Sequence, residues 1–222
     1  PSALRLLGAL FAGGPGGRMG RDKAGLPRPA TGGGSVTLYW RAAGVLEELC
    51  ATVEVGVGRA GRLAASPWPT FADVEPDSGP LAGLAAALER ARDRGLDGVL
   101  ALACDMPLVG PGELRPLIEA ARAADAAMWV VDGHDQPLCS VYRTACAAPA
   151  RRAFEAGARR PVAIFAEPVA DGRSLRLERV HADENSALRL VNVNTTTDYD
   201  RALAVAAGRR SGRGAHRSPH ER

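Results

Sequence analysis

The sequence predicts an α/β protein, a mostly parallel sheet flanked by helices in a three-layer, Rossmann-like arrangement. Three observations carry that prediction. Apolar runs of strand length alternate with helical stretches along nearly the whole chain. The run GVLALA at 98–103 is continuously apolar, as a central parallel strand covered on both faces must be. Polar segments follow the apolar runs, at the carboxyl ends of strands where ligands of such sheets gather.

The elements follow in order. A strand is expected over 4–12, ending at the glycine-rich stretch FAGGPGGRMGRDK (11–23), which Leu26-Pro27 closes. Residues 28–35, RPATGGGS, read as a flexible insertion. From Ser35, a candidate N-cap, Leu38, Ala42, Val45, Leu46 and Leu49 form one helical stripe. Strands are expected over 52–57 and 71–74, then a helix over 79–94 with Pro80 in its first turn, where a missing N–H costs nothing. After the 98–103 strand come a helix over 113–124, a strand over 126–131 and an alternating strand over 137–143 near a sheet edge. Short helices over 145–156 and 160–167, strands over 175–180 and 190–193, and a closing helix over 197–207 complete the chain.

The chain of 222 residues suffices for one large domain, assigned here to 1–208. The net charge of +3 is concentrated in 209–222, where five arginines face one glutamate; the rest has 23 basic against 24 acidic residues. The body is therefore not a basic nucleic-acid binder, and the tail reads as a solvated, disordered end. No apolar run approaches the roughly 18 residues of a membrane span, and residues 4–12 are too short for a secretory signal, so a cytoplasmic location is expected. The start at Pro1 rather than Met points to a few residues upstream. Cys50, Cys104, Cys139 and Cys146 form no CxxC pair and the four histidines lack ligand spacing, which argues against disulfides and zinc; the cysteines read as small core residues.

Five glycines between Gly13 and Gly20, followed by Arg21 and Lys23, with Arg18 among them, suit either a flexible loop or a phosphate cradle of inward-pointing N–H groups. A Walker loop is excluded because Asp22 precedes Lys23 and Ala24 follows it; GxGxxG fails at Met19. Asp105, just past the GVLALA strand, is either a turn or capping residue or a Mg²⁺ ligand, since Mg²⁺ takes one or two carboxylates with phosphate oxygens and water. Asp73 is a weaker carboxylate candidate and Asp77 weaker still. GPLAGL at 79–84 offers close helix packing or a backbone surface for a base or ribose. Asn192 and Asn194, read on a strand, share a face; turn and capping chemistry is the alternative. Arg159 and Arg160 form a solvated face or an anion contact.

Together, FAGGPGGRMGRDKAGLP, GPLAGL, CDMPLV, QPLCSVYR, AGARRPVAIF and VNVNTTTDY resemble the MobA-like nucleotidyltransferases in content, order and near spacing, over about residues 5–205. GPLAGL, the AGARR segment and the VNVNT close resemble the molybdenum cofactor guanylyltransferases in particular. The resemblance implies a nucleotide-diphospho-sugar transferase type of fold, GTP and Mo-molybdopterin as substrates, and Mg²⁺ as cofactor. The terminal phosphate of the pterin attacks the α-phosphorus of GTP, giving the dinucleotide cofactor and pyrophosphate. Molybdopterin-handling proteins and molybdoenzyme chaperones are implied partners.

By position, Phe11, Ala12, Gly13 and Gly14 match the family's nucleotide loop, and Lys23 its loop lysine, with Arg18 beside it. Asp73 matches a nucleotide-contacting aspartate, and Asp105 one that contacts nucleotide and Mg²⁺. Arg160, Asn192 and Asn194 match positions where the pterin is expected. The chain departs from the pattern at Phe11 (usually Leu), at Pro15-Gly16-Gly17, across 28–34, and at Gly56, where some members carry a nucleotide-contacting Asn. Three rivals remain: the cytidylyltransferase of the same pathway, a sugar- or isoprenoid-phosphate nucleotidyltransferase, and a non-catalytic adaptor that binds nucleotide or cofactor.

Overall fold

The computed structural model describes residues 3–12, 27–29, 35–57, 66–75 and 78–206. A seven-stranded sheet runs through them. Its strands are β1 (Leu6–Phe11), β4 (Thr52–Gly56), β5 (Thr70–Phe71), β6 (Gly98–Ala103), β7 (Ala126–Val131), β8 (His134–Arg143) and β9 (Leu177–His181), in the order β5-β4-β1-β6-β8-β7-β9. The pairs β5–β4, β4–β1, β1–β6 and β7–β9 are parallel, while β8 runs against both β6 and β7. Two short strands, β2 (Pro27–Pro29) and β3 (Ser35–Thr37), form a separate antiparallel ribbon.

Side-chain alternation explains the layers, since successive strand residues face opposite sides of a sheet. Leu6 and Leu10 of β1 and Leu100 and Leu102 of β6 pack on one side against helices α1 (Leu38–Glu47) and α3 (Pro111–Ala120). Leu7, Ala9, Val99 and Ala101 pack on the other against α2 (Pro80–Asp93) and α4 (Ala147–Glu155). Two further helices, the short α5 (Glu184–Arg189) and α6 (Thr196–Ala206), follow β9. The result is the expected three-layer arrangement of helices on both faces of a mostly parallel sheet. Glu54, fully buried on β4, is held by Arg90 at 2.5 Å and by the Arg94 guanidinium, so α2 is clamped to the sheet by charge as well as by apolar packing.

Several expectations are corrected. The ends of the segment read as a flexible insertion pair in the β2–β3 ribbon. The first helix starts at Leu38 with Thr37, not Ser35, as its cap; the Trp40 amide donates to Thr37 Oγ1 at 3.3 Å. The strand read near an edge, β8, is internal and begins at His134. The signal passed over was Asp132-Gly133, whose positive φ values of 49° and 77° are those of the two-residue turn that Asp-Gly favours in hairpins. Residues 190–193 are not a strand: α5 ends at Arg189, and α6 follows at Thr196. Asp183, whose carboxylate accepts from the Ser186 amide at 2.7 Å, caps α5. Cys104, Cys139 and Cys146 are buried and Cys50 half-buried; burial pushes the Cys50 and Cys146 thiols up to about 12, so neither is a thiolate at neutral pH.

Candidate nucleotide-binding edge

The carboxyl ends of β5, β4, β1 and β6 line up in register: Phe71 pairs with Gly56, Gly56 with Phe11, and Phe11 with Ala103. Main-chain bonds extend the row one residue further. The Ala12 amide donates to the Gly56 carbonyl at 3.1 Å, Val57 to Phe71 at 3.1 Å, and Cys104 to Phe11 at 3.1 Å. Phe11 and Ala12, Asp73 and Asp105 therefore leave the sheet at one edge, as the sequence places them.

The row also explains Gly56. In-register parallel neighbours share a face, so Phe11 and Phe71 flank the glycine and meet edge to face, centroids 6.3 Å apart. A Cβ on Gly56 would lie 3.0 Å from Phe71 Cζ and 3.4 Å from Phe11 Cδ1. Beneath the rings, Gly83 of α2 gives the same close approach: its Cβ would lie 2.8 Å from Asp73 Oδ1 and 3.0 Å from Phe11 Cε1. Gly83 in GPLAGL thus makes room for Asp73 and Phe11 together. The departures at Phe11 and Gly56 are two sides of one packing solution, and a side chain at position 56 would require the Phe71 ring to give way by a few tenths of an ångström.

The start of α2 approaches the Arg159–Arg160 segment. Gly79, at φ 86°, is in the left-handed region open to glycine, and its Cβ would lie 3.2 Å from the Arg159 carbonyl oxygen. That oxygen accepts from the Leu81 amide at 3.1 Å. Arg160 is exposed beside this junction, at the head of a 3-10 turn, Pro161–Ala166. The Val193 amide donates to the Asp105 carbonyl at 2.8 Å, which brings the Asn192–Asn194 segment to the end of β6. Asn192 Nδ2 reaches Gln136 Oε1 at 3.4 Å. The Asn194 side chain is exposed, and the Asn194 main-chain N–H donates to the Asp198 carboxylate at 3.1 Å, so the capping group there is Asp198. A hydrogen bond from the Thr195 hydroxyl, ahead of those from nearby amides, holds Asp198 below the usual carboxylate range.

Gln136 is the residue that sequence reasoning missed. β8 is antiparallel, so its start lies at the edge where its neighbours end. Pairing between β7 and β8 shifts register between Met128 and Val130, a bulge of the kind that re-aims a side chain. Ser140 Oγ donates to the Gln136 carbonyl at 2.6 Å and Tyr142 Oη to the Pro137 carbonyl at 2.9 Å, clasping the bulged segment. The Asp-Gly hairpin signal would have placed Gln136 here.

Asp105 fits a Mg²⁺ ligand: it is a half-buried hard oxygen donor at the end of β6 whose main-chain carbonyl is held by the Val193 amide. Among the described residues no group of three His, Cys, Asp or Glu gathers to hold a metal, so an ion at Asp105 would draw the rest of its shell from phosphate oxygens and water. Gly13, Gly14, Arg18, Lys23 and Asp77 lie outside the described residues, as does the 209–222 tail. No helix among the described residues is long and apolar enough to cross a membrane.

Residues 8–171 match the family of MobA-like NTP transferase domains. A protein of Mycobacterium tuberculosis named "probable molybdenum cofactor guanylyltransferase" is 36% identical over 147 residues, 65% of this chain and 71% of its own. One of the same name from Mycobacterium avium is 32% identical over 207 residues, 92% of this chain and 98% of its own. The solved structure of molybdopterin-guanine dinucleotide biosynthesis protein A from Archaeoglobus fulgidus superposes with a TM-score of 0.69 at 23% identity, covering 91% of this chain and all of its own.

Proposed function

The chain belongs to the MobA-like NTP transferase family and is an enzyme of the nucleotidyltransferase class, and from that premise we propose that it transfers GMP from GTP to Mo-molybdopterin. The observation that carries the reading is the Val193–Asp105 bond. Through the main-chain carbonyl of Asp105, it ties the residue whose carboxylate is expected to serve the nucleotide to the asparagine segment expected to serve the pterin.

In this reading the terminal phosphate of the pterin attacks the α-phosphorus of GTP in line. A new phosphorus–oxygen bond forms, the bond from α-phosphorus to the β-bridging oxygen breaks, and pyrophosphate leaves. The attacking phosphate is already ionised near neutral pH, so no strong general base is required. Catalysis is then mainly charge neutralisation and positioning. Lys23, Arg18 and the amides of Gly13 and Gly14 would hold the triphosphate and the leaving pyrophosphate. The main chain at Phe11 and Ala12, with Asp73, would seat the nucleoside. Arg160, Asn192 and Asn194 would orient the pterin substrate, with Gln136 buttressing Asn192. Asp105 would hold Mg²⁺, which when bound would supply positive charge to offset the phosphates' negative charge. With glycine at position 56, the guanine edge would be read by main-chain groups or by other residues. The protein would act in the cytoplasm, receiving substrate from molybdopterin-handling proteins and passing product to molybdoenzyme chaperones, with 1–208 as its catalytic domain.

The test is incubation with Mg²⁺ and Mo-molybdopterin plus GTP or CTP separately, following pyrophosphate release and the product mass. The guanine dinucleotide is the expected product. Product from CTP alone would overturn the base assignment, and nucleotide binding without product from either would favour the adaptor.

A further inference from the structure

At the opposite edge of the sheet, where β7 and β9 begin and β8 ends, lies a cavity of about 460 Å³. Arg122, Arg143, Arg173 and Arg176 line it with one carboxylate, Asp125, and with Thr144. We propose that this cavity is an accessory binding site for a small phosphate-bearing anion, separate from the nucleotide edge.

The charge balance is the first reason. Asp125 is already neutralised within the wall: Arg173 Nη1 and Nη2 donate to its two oxygens at 2.5 and 2.8 Å, and the Arg176 amide donates to Oδ2 at 2.8 Å. Of the other three guanidinium groups, Arg143 has an Asp97 oxygen 3.9 Å from Nη2, outside the lining, so the wall as a whole sets four cations against one carboxylate. Arg122 pairs with Glu119, outside the cavity lining, through Nε at 2.7 Å. Among the described residues, no hydrogen bond or ion pair engages the Arg176 side chain.

The second reason is that the wall is built rather than loosely assembled. Arg143 is fixed by Nε to the Asp97 carbonyl at 3.1 Å and by Nη1 to the Ala121 carbonyl at 3.2 Å. The segments bearing these arginines are laced together. The Arg143 amide donates to the Asp125 carbonyl at 2.7 Å, and the Asp125 and Ala126 amides to the Arg176 carbonyl at 2.9 and 3.1 Å. A planar guanidinium presents five N–H donors in a fork that matches phosphate oxygens. Several on a preorganised concave wall bind an oxyanion with little ordering cost, and the volume is that of a small-ligand pocket.

The test titrates the full chain with inorganic phosphate, and in a second arm with pyrophosphate, following ¹H–¹⁵N amide shifts. Saturable shifts at Ala123, Ala124, Thr144 and Ala145 are expected in both arms. They should weaken at least about tenfold in an Arg122→Ala/Arg176→Ala variant. Neither substitution removes a bond that holds Asp125, since Arg176 serves it through the main chain. Pyrophosphate shifts at Gln136 and Asn192 report the nucleotide edge and are expected to be unchanged by the variant, so failure here is distinguishable from failure of the proposed reaction. Linear, non-saturating shifts around the cavity, or affinity unchanged in the variant, would overturn the proposal.

Discussion

The two halves of the sheet are built by different rules. From β5 to β6, four parallel strands deliver their carboxyl ends to one edge, and the row Phe71–Gly56–Phe11–Ala103 sets what can sit there. From β8 to β9, an antiparallel strand enters between parallel ones, and its bulged start supplies Gln136 to the same edge. The first half forms its part of the site by repetition of a register. The second does so by a local irregularity clasped by Ser140 and Tyr142. In the proposed reaction the chemistry would divide along the same line, with carboxylates and backbone serving the nucleotide and carboxamides and arginine the other substrate.

The sharpest way to break this division is at Asp105, where the halves meet. Asp105→Asn keeps the carbonyl that Val193 uses, so the melting temperature should stay near that of the parent. Turnover, read as pyrophosphate release, should fall by at least about 100-fold. Parental rates would remove Asp105 from the nucleotide half's chemistry.

Gly56→Asn tests the register row. Overpacking against the two rings should cost about 1–3 kcal/mol in urea unfolding. Adding Phe71→Leu should restore part of that loss, a coupling expected of residues in contact. No loss would mean the aromatic row does not govern the edge.

Asp125→Asn probes the second half alone. The Arg173 hydrogen bonds hold the Asp125 carboxyl below its usual range. Its contribution to stability is thus complete above the unfolded value near pH 4 and is lost as pH falls from there toward the lower folded value. The variant should lose about 2 kcal/mol at neutral pH, and its stability should fall less steeply on acidification. A parental acid profile would show that the clamp carries no linkage.

The smallest effect expected is at α1. Thr37→Ala removes one cap and should cost about 1 kcal/mol, with KM for both substrates unchanged. A KM shift would tie the β2–β3 ribbon to the site.

The sequence was most informative where one physical rule acts alone. GVLALA is buried on both faces and was legible to the residue, as was 126–131. The place of Asp105 at the carboxyl end of β6 was legible for the same reason, because it directly follows such a strand. Legibility failed where local signals competed. Val191 and Val193 alternate with asparagines as a strand would, but a helix on either side leaves that segment no room to pair. Gly56 was visible as a departure, but its cause lay in Phe71, fifteen residues on and adjacent only once β4 and β5 pair. The four arginines around Asp125 come from three separate stretches of sequence, so no single motif announces them.

The Asp132-Gly133 tip between β7 and β8 is about the shortest connection two antiparallel strands permit. It stands at the same edge as Gln136 and away from both cores. Loop length is therefore a free parameter of this corner. Residues inserted at the tip would extend the rim of the cleft while β6, β7 and β8 keep their pairing. Grafting longer tips here would change what surrounds this edge without disturbing the sheet.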